Sequence, residues 1–344
     1  MTGSALRVLV SRTDRIGDAV LTLPLCALLK TQLGAEVVAL GRGYSRPVFE
    51  ASPFVAQVLE WDSVDGHRGA ERDLLVRSRA DVVMHAFPRW AIARAALAAR
   101  IPRRIGTSHR WYHWFTCNEL EHYSRKRSTL HEAQLNVRLA RRLLTDAVPS
   151  LDGLARLTTL RPRVPLPPDV EVLLDPSRLI VVLHPGSGGS GRQWPLNYWH
   201  DLAWGLDVSR VQLLVSGSAA ERETLGPWVA TLPSHVIDLM GRLDLAELIA
   251  LLARVDGIVA AGTGPLHLAA ALGRHALGLF PPTPPIHPGR WAPLGPLAEW
   301  LAAPRPCAAH GTSTNRYAQC ECMQRISVEA VQSRLLAWER PQAR

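Results

Sequence analysis

His184-Pro-Gly-Ser-Gly-Gly-Ser-Gly-Arg-Gln-Trp-Pro195 is the stretch around which this 344-residue chain is organised. It follows an apolar, β-branched run, Leu179 to Leu183, and precedes a segment of helical character, Leu196 to Leu206. That order is strand, glycine-rich loop, helix. Gly186, Gly188, Gly189 and Gly191 let the backbone turn tightly and come close to a ligand. Pro195 suits the first helical position, where its missing N–H costs nothing. The free N–H groups and positive dipole end of such a helix favour an anion. Arg192 adds a full charge with the fork geometry that phosphate accepts. A diphosphate cradle is the functional reading, and a flexible connection that binds nothing is its alternative. The loop lacks the Gly-Lys-Ser/Thr of a Walker A loop, and no acidic ribose partner at the usual offset completes a dinucleotide fingerprint.

Outward from this loop, strands and helices alternate in both directions. Towards the N-terminus, strands are expected at 6–10, 37–40, 55–61, 81–84 and 101–105, and helices at 19–33, 91–100 and 130–145. Towards the C-terminus, strands are expected at 179–183, 211–216, 236–239, 257–261 and 276–280. Helices fall at 196–206, 221–232 (interrupted by Gly226-Pro227), 245–254 and 328–339. Between the halves, residues 161–177 hold Pro162, Pro165, Pro167, Pro168 and Pro176, which reads as a linker. The expected organisation is an N-terminal Rossmann-like domain over 1–160, the linker, a second Rossmann-like domain over 178–325 and a C-terminal helix within 326–344 that packs back on the first domain. The class is α/β with parallel sheets, and a ligand is expected in a central cleft between the facing halves.

Composition narrows the classes. Nearly half the residues are hydrophobic, yet no uninterrupted apolar run reaches the roughly 18 residues of a membrane span. The N-terminus runs directly into a strand, with no basic segment, apolar core and cleavage site, so the cytoplasm is the expected compartment. The formal charge is +9, and lysine occurs only at 30 and 126. The arginines are dispersed, not arrayed on one helix, which argues against nucleic acid and leaves anionic substrates or an acidic membrane face. The five cysteines, 26, 117, 307, 320 and 322, read as free thiols. Cys307, His310, Cys320 and Cys322 cluster, but Cys-x-Cys is not the usual zinc spacing, so no metal or cofactor is expected.

Three loops at strand carboxyl ends carry candidate chemistry. Arg15-Ile-Gly-Asp18 places Asp18 at a helix start, either as an N-cap or as a general base. The glycine loop is the second. Gly262-Thr-Gly-Pro-Leu-His267 is the third, with the Thr263 hydroxyl and Gly264 forming an anion turn and His267 one helical turn further on. Ser216-Gly217 with Glu221 is a weaker fourth, where Glu221 either accepts from a ribose or caps its helix.

Together these loops resemble glycosyltransferase family 9, the heptosyltransferases of lipopolysaccharide core assembly. The resemblance rests on Asp14-Arg-Ile-Gly-Asp18-Ala-Val-Leu-Thr-Leu-Pro24, on His184-Pro-Gly-Ser187 with Arg192-Gln-Trp-Pro195, and on Thr263-Gly-Pro-Leu-His267-Leu-Ala-Ala-Ala-Leu-Gly273, in the family's order across nearly the whole chain. It implies a GT-B fold and inverting, metal-independent transfer of a sugar from a nucleotide donor, ADP-heptose first among them. It makes Asp18 the general base and Arg192 the partner of the leaving diphosphate. Ser187, Gly188, Gly189, Thr263, Gly264 and His267 would line the donor pocket, Glu221 would hold the ribose and Met240 would lie near the base. The acceptor, an anionic lipid-linked glycan at the inner face of the membrane, would meet Arg15, Arg42, Arg89 and Arg110. Arg46, Arg103, Arg104, Trp111 and Trp114 lie in the same half. The sequence departs from the family at Gly262, where many heptosyltransferases carry Asp, and this bears on the donor sugar more than on the fold. Transfer from a different nucleotide sugar, and a non-catalytic sugar-nucleotide-binding protein, stay open as alternatives. An NAD-type oxidoreductase lacks its fingerprint.

Overall fold

The structure is a computed structural model that describes residues 5–125, 128–144, 147–189, 191–304 and 321–341. The chain forms two compact units, Met1–Arg161 and Pro162–Arg344.

The first unit contains β1 (Arg7–Ser11), β2 (Glu36–Gly41), β3 (Gln57–Glu60), β4 (Val82–His85), β5 (Arg103–Thr107) and β6 (Glu119–Glu121). All pair in parallel, in the order β3-β2-β1-β4-β5-β6. The central strands are apolar without alternation because helices cover both faces; Val8, Leu9, Val10, Val37, Val38, Val82 and Val83 are fully buried. The helix Leu23–Leu33 follows the same logic, with Leu23 to Leu29 buried throughout. Residues 16–33 have the length and composition of a membrane span, but most of the stretch is buried, as befits a core helix.

The second unit contains β7 (Leu179–His184), β8 (Val211–Val215), β9 (Ile237–Asp238), β10 (Gly257–Ala261), β11 (His275–Phe280) and β12 (Ala298–Ala302). It too is fully parallel, in the order β12-β11-β10-β7-β8-β9. Read from the other edge, this is the permutation of the first sheet. The α/β class and two Rossmann-like units therefore stand as expected from sequence.

Several boundaries differ. The proline-rich stretch belongs to the second unit from Pro162 onward instead of standing apart as a linker. It contains the short helix Pro168–Glu171, tied down by ion pairs from Arg242 to Asp169 and from Arg254 to Glu171, both 2.7 Å. The C-terminal helix Val328–Leu336 packs on the core of the second unit. Val331, Leu335 and Trp338 join the core around Trp194 and Trp199, and the helix lies against Leu196–Gly205. The helix Ala219–Val229 runs through Pro227, which lies near its end where few backbone bonds are at stake. The expected helix at 130–145 is regular only over Glu132–Arg138.

Candidate active site

In an open parallel sheet, ligands gather where neighbouring strands lead their connections to opposite sides. In the first unit that point lies between β1 and β4, whose last residues, Ser11 and His85, are register partners. The helix Ile16–Val20 starts there, and Asp18 is its third residue. Arg15 is the N-cap, so Asp18 does not cap the helix. Its carboxylate instead ion-pairs with the guanidinium of Arg12, a residue that is only 3% exposed.

Arg12 is the hub of a buried network. Its Nε donates to Asp14 Oδ1 at 2.8 Å, and Nη1 donates to Glu132 Oε1 at 3.0 Å, Asn136 Oδ1 at 3.1 Å and the Ala86 carbonyl at 3.3 Å. Arg125 ion-pairs with the same Glu132 and donates to Asn136 Oδ1 at 3.0 Å and to Ala86 O at 2.9 Å. Asn136 turns its amide to Leu21 O at 2.9 Å. A buried guanidinium is tolerated only when its donors are met by paired acceptors, and here they are. Burial pushes the Asp14 carboxyl up to about 6; Arg12 opposes the shift and the Asp18 charge reinforces it. The network's members outside the family motif were missed in the sequence. The sole sequence signal was an arginine directly after a buried strand.

The four proposed acceptor arginines all follow strand carboxyl ends of this sheet. Arg15 follows β1, Arg42 follows β2, Arg89 follows β4 and Arg110 follows β5. Arg42 lies over the ring of Tyr44 at 5.7 Å, and the Tyr44 hydroxyl donates to the Asp14 carbonyl. Arg89 ion-pairs with Asp65 at 2.9 Å. Arg103 and Arg104 lie instead at the start of β5, where Arg103 pairs with Glu119 at 2.6 Å.

In the second unit the corresponding point lies between β7 and β10. The glycine loop leaves β7, and Pro195 ends it as the N-cap of Leu196–Gly205, one position earlier than expected. Gly188 and Gly189 have positive φ, 48° and 72°, which side-chain-bearing residues rarely adopt. Gly186 is closed to any side chain, since a Cβ would lie 2.1 Å from Glu221 Oε1. Glu221 accepts from Gly188 N at 3.2 Å, and from Ser218 N at 2.9 Å and Oγ at 3.0 Å. It caps the helix Ala219–Val229 and also fastens the glycine loop. Burial works against this carboxylate, but the adjacent His184 and these donors outweigh it and hold its pKa below the ordinary range. At the loop's far end, Trp194 donates to the Ile326 carbonyl at 2.9 Å and packs edge-on against Trp199.

The turn after β10 comes within reach of the same loop: a Cβ on Gly191 would lie 3.2 Å from the Gly262 carbonyl. Thr263 is the N-cap of Gly264–Ala271, yet its hydroxyl caps nothing; it is buried without a hydrogen-bond partner among the described residues. Ser187 and His267 are buried and Arg192 is half-buried. Met240 is buried too, packed where a side chain on Gly217 would be, with 2.4 Å left to its Cε. The departure at Gly262 has a steric counterpart: a Cβ there would lie 2.6 Å from the Phe280 ring, which also closes over Gly278 at 2.4 Å. Among the described residues no group of three His, Cys, Asp or Glu side chains could hold a metal ion. Cys322 is buried, whereas Cys307, His310 and Cys320 lie outside the described residues.

Two parallel sheets of one topology, each with its loops gathered at the switch point, define an α/β protein of the GT-B class. The profile of glycosyltransferase family 9 (heptosyltransferase) matches residues 80–320, and the chain belongs to that family; it is a glycosyltransferase. It is 36% identical over 135 residues to lipopolysaccharide heptosyltransferase 1 of Pseudomonas aeruginosa, covering 39% of this chain and 37% of that one. The fold is similar to ADP-heptose lipopolysaccharide heptosyltransferase II of E. coli, with a TM-score of 0.75 at 20% identity over 96% of this chain and 98% of the other. It is also similar to an E. coli heptosyltransferase solved with ADP-2-deoxy-2-fluoro heptose, with a TM-score of 0.69 at 18% identity over 95% and 98%.

Proposed function

We propose that this enzyme transfers a heptose, with inversion, from ADP-heptose to an anionic, lipid-linked glycan of the lipopolysaccharide core type at the inner face of the membrane. The observation that carries the reading is the pairing of an acid at one switch point with a glycine–arginine loop at the other. Asp18 takes the proton of the acceptor hydroxyl as that oxygen attacks the anomeric carbon. The bond from that carbon to the diphosphate breaks, and the electron pair leaves on the phosphate oxygen. Arg192, the Gly188 and Gly189 backbone and the N-terminus of Gly264–Ala271 receive the charge that develops there. Arg12 is a positioning residue: it fixes the Asp18 carboxylate by an ion pair and is itself held by Glu132 and Asn136. Arg15, Arg42, Arg89 and Arg110 offer cations to the acid groups of the acceptor. The ADP-heptose assignment leans on what the relatives' names state that they use.

A thermal-shift comparison of ADP, UDP, GDP and their sugar conjugates tests the donor. Ligand at a hundredfold excess over its Kd stabilises by about 2.7 kcal/mol. The expected outcome is a shift with ADP and a larger one with ADP-heptose. A shift with UDP or GDP and none with ADP overturns the donor assignment while leaving the transfer chemistry standing.

A further inference from the structure

The first unit presents large apolar side chains to solvent on one face. Trp90 and Leu97 project from the helix Trp90–Ala98, and Trp111, Trp114 and Phe115 come from the turn and short helix His113–Thr116 that follow β5. The two helices pack together, and Trp90 stacks on Trp111 at 5.8 Å. Contact with each other does not bury these rings: Trp111 is 70% exposed and Phe115 75%. The segment is nonetheless well anchored. His113, Thr116 and Cys117 are buried, and the Trp114 indole N–H donates to the Ser108 carbonyl at 3.0 Å. The fold therefore holds several large rings in water, where folding alone gains nothing from them.

Beside the Arg89–Asp65 ion pair that precedes Trp90, this face is flanked by arginines with no acid partner among the described residues. Arg110 directly precedes Trp111, and Arg100 follows Leu97 by three positions; both are exposed and neither forms an ion pair among the described residues. Arg104 donates to the carbonyls of Ile101 at 2.6 Å and Thr116 at 2.7 Å, with no carboxylate partner among the described residues. Indole rings that settle at the headgroup level, beside guanidinium groups lacking acid partners, match the interface of a bilayer with anionic lipid.

We propose that the Trp90–Trp111–Trp114–Phe115 face docks the enzyme on an anionic phospholipid bilayer, with Arg100, Arg104 and Arg110 meeting lipid phosphates. This deepens the lipid-linked acceptor reading, and vesicles free of glycan separate the two. The full-length protein is co-sedimented with phosphatidylcholine vesicles and with vesicles of phosphatidylcholine mixed with phosphatidylglycerol. Binding is expected to the mixed vesicles only and to weaken with added salt. The double variant Trp111→Ala/Phe115→Ala is expected to lower the partition coefficient at least about tenfold while keeping the wild-type unfolding midpoint. Arg110→Glu is expected to weaken binding to the mixed vesicles further than salt alone does. No binding by the wild type, or equal binding by the double variant, overturns the proposal. So does a dimer in sedimentation velocity that the double variant dissolves while vesicles are ignored, which would assign the face to a second copy. A donor-induced thermal shift without vesicle binding would sink the docking surface and leave the transfer reading intact.

Discussion

The two units share a strand order but place opposite chemistry at the same topological point. After β1 the first unit presents a carboxylate, Asp18, held by a guanidinium and a network of side chains. After β7 the second unit presents backbone, opened by Gly188 and Gly189 at positive φ and fastened by Glu221, with Arg192 as its charge. Under the proposed function the same switch point would serve a base in one case and an anion cradle in the other. What distinguishes them is whether the loop carries side chains or is stripped of them.

If that contrast is functional, it separates in kinetics. Asp18→Asn should lower kcat by about 10² to 10⁴, the range of a lost general base, and should keep the donor's thermal shift. Arg192→Ala should lower the rate by about 10² to 10³ and also abolish that shift. The reverse pattern, with donor binding lost in the Asp18 variant and kept in the Arg192 variant, would break the assignment of roles to units.

A smaller effect is expected where the second unit departs from its family. Gly262→Asp should destabilise by roughly 1–3 kcal/mol, the usual cost of overpacking, because its Cβ meets the Phe280 ring at 2.6 Å. Phe280→Leu in the same chain should recover part of that loss. An unchanged denaturation midpoint for the single variant would show that the ring yields freely.

At neutral pH the smallest effect is expected from the buried histidines, whose contribution emerges only on acidification. In the first unit His85 and His113 lie with ring centroids 5.3 Å apart, and both His85 nitrogens and His113 Nε2 are buried without a partner among the described residues. Burial pushes His85 down to about 3, with His113 and Arg104 adding to the shift, and burial pushes His113 down to about 4. In the second unit the buried His184 has Ser216 Oγ at 2.9 Å. A histidine depressed in the fold takes up its proton first in the unfolded chain. Its stabilising contribution is therefore full above the unfolded value near 6.5 and is lost as pH falls towards 4, by up to about 1.4 kcal/mol per unit per group. His85→Leu removes no hydrogen bond. It should keep stability at neutral pH and flatten the acid slope; an unchanged slope in urea titrations would remove His85 from the account.

Much of this architecture was legible because central parallel strands are apolar on both faces. Leu179 to Leu183 and Gly257 to Ala261 could be read directly. The outermost strands β6 and β12 were not. Glu119–Glu121 is three residues long with two acids, and in Ala298–Ala302 the Trp300 ring is half exposed, so neither carries the pattern of a buried strand. The helix Arg68–Arg77 was hidden by its charges. At the sites, Asp18 and Arg192 were visible through their motifs. The partnership of Arg12 with Glu132 was not, since 120 positions separate them and only the sheet brings them together. The cap reading of Asp18 failed because the helix begins at Ile16, leaving its carboxylate to turn back to Arg12.

The cluster around Arg12 also has a charge balance. Asp14, Asp18 and Glu132 are three carboxylates against the two guanidiniums of Arg12 and Arg125. Counted by themselves, these five side chains carry one excess negative charge when all three carboxylates are ionised, and one proton brings the five to neutrality. Proton removal from an acceptor hydroxyl would then discharge the cluster instead of charging it. Asp14, pushed up to about 6, can accept that proton from solvent first, so acidification would satisfy the cluster before the substrate does.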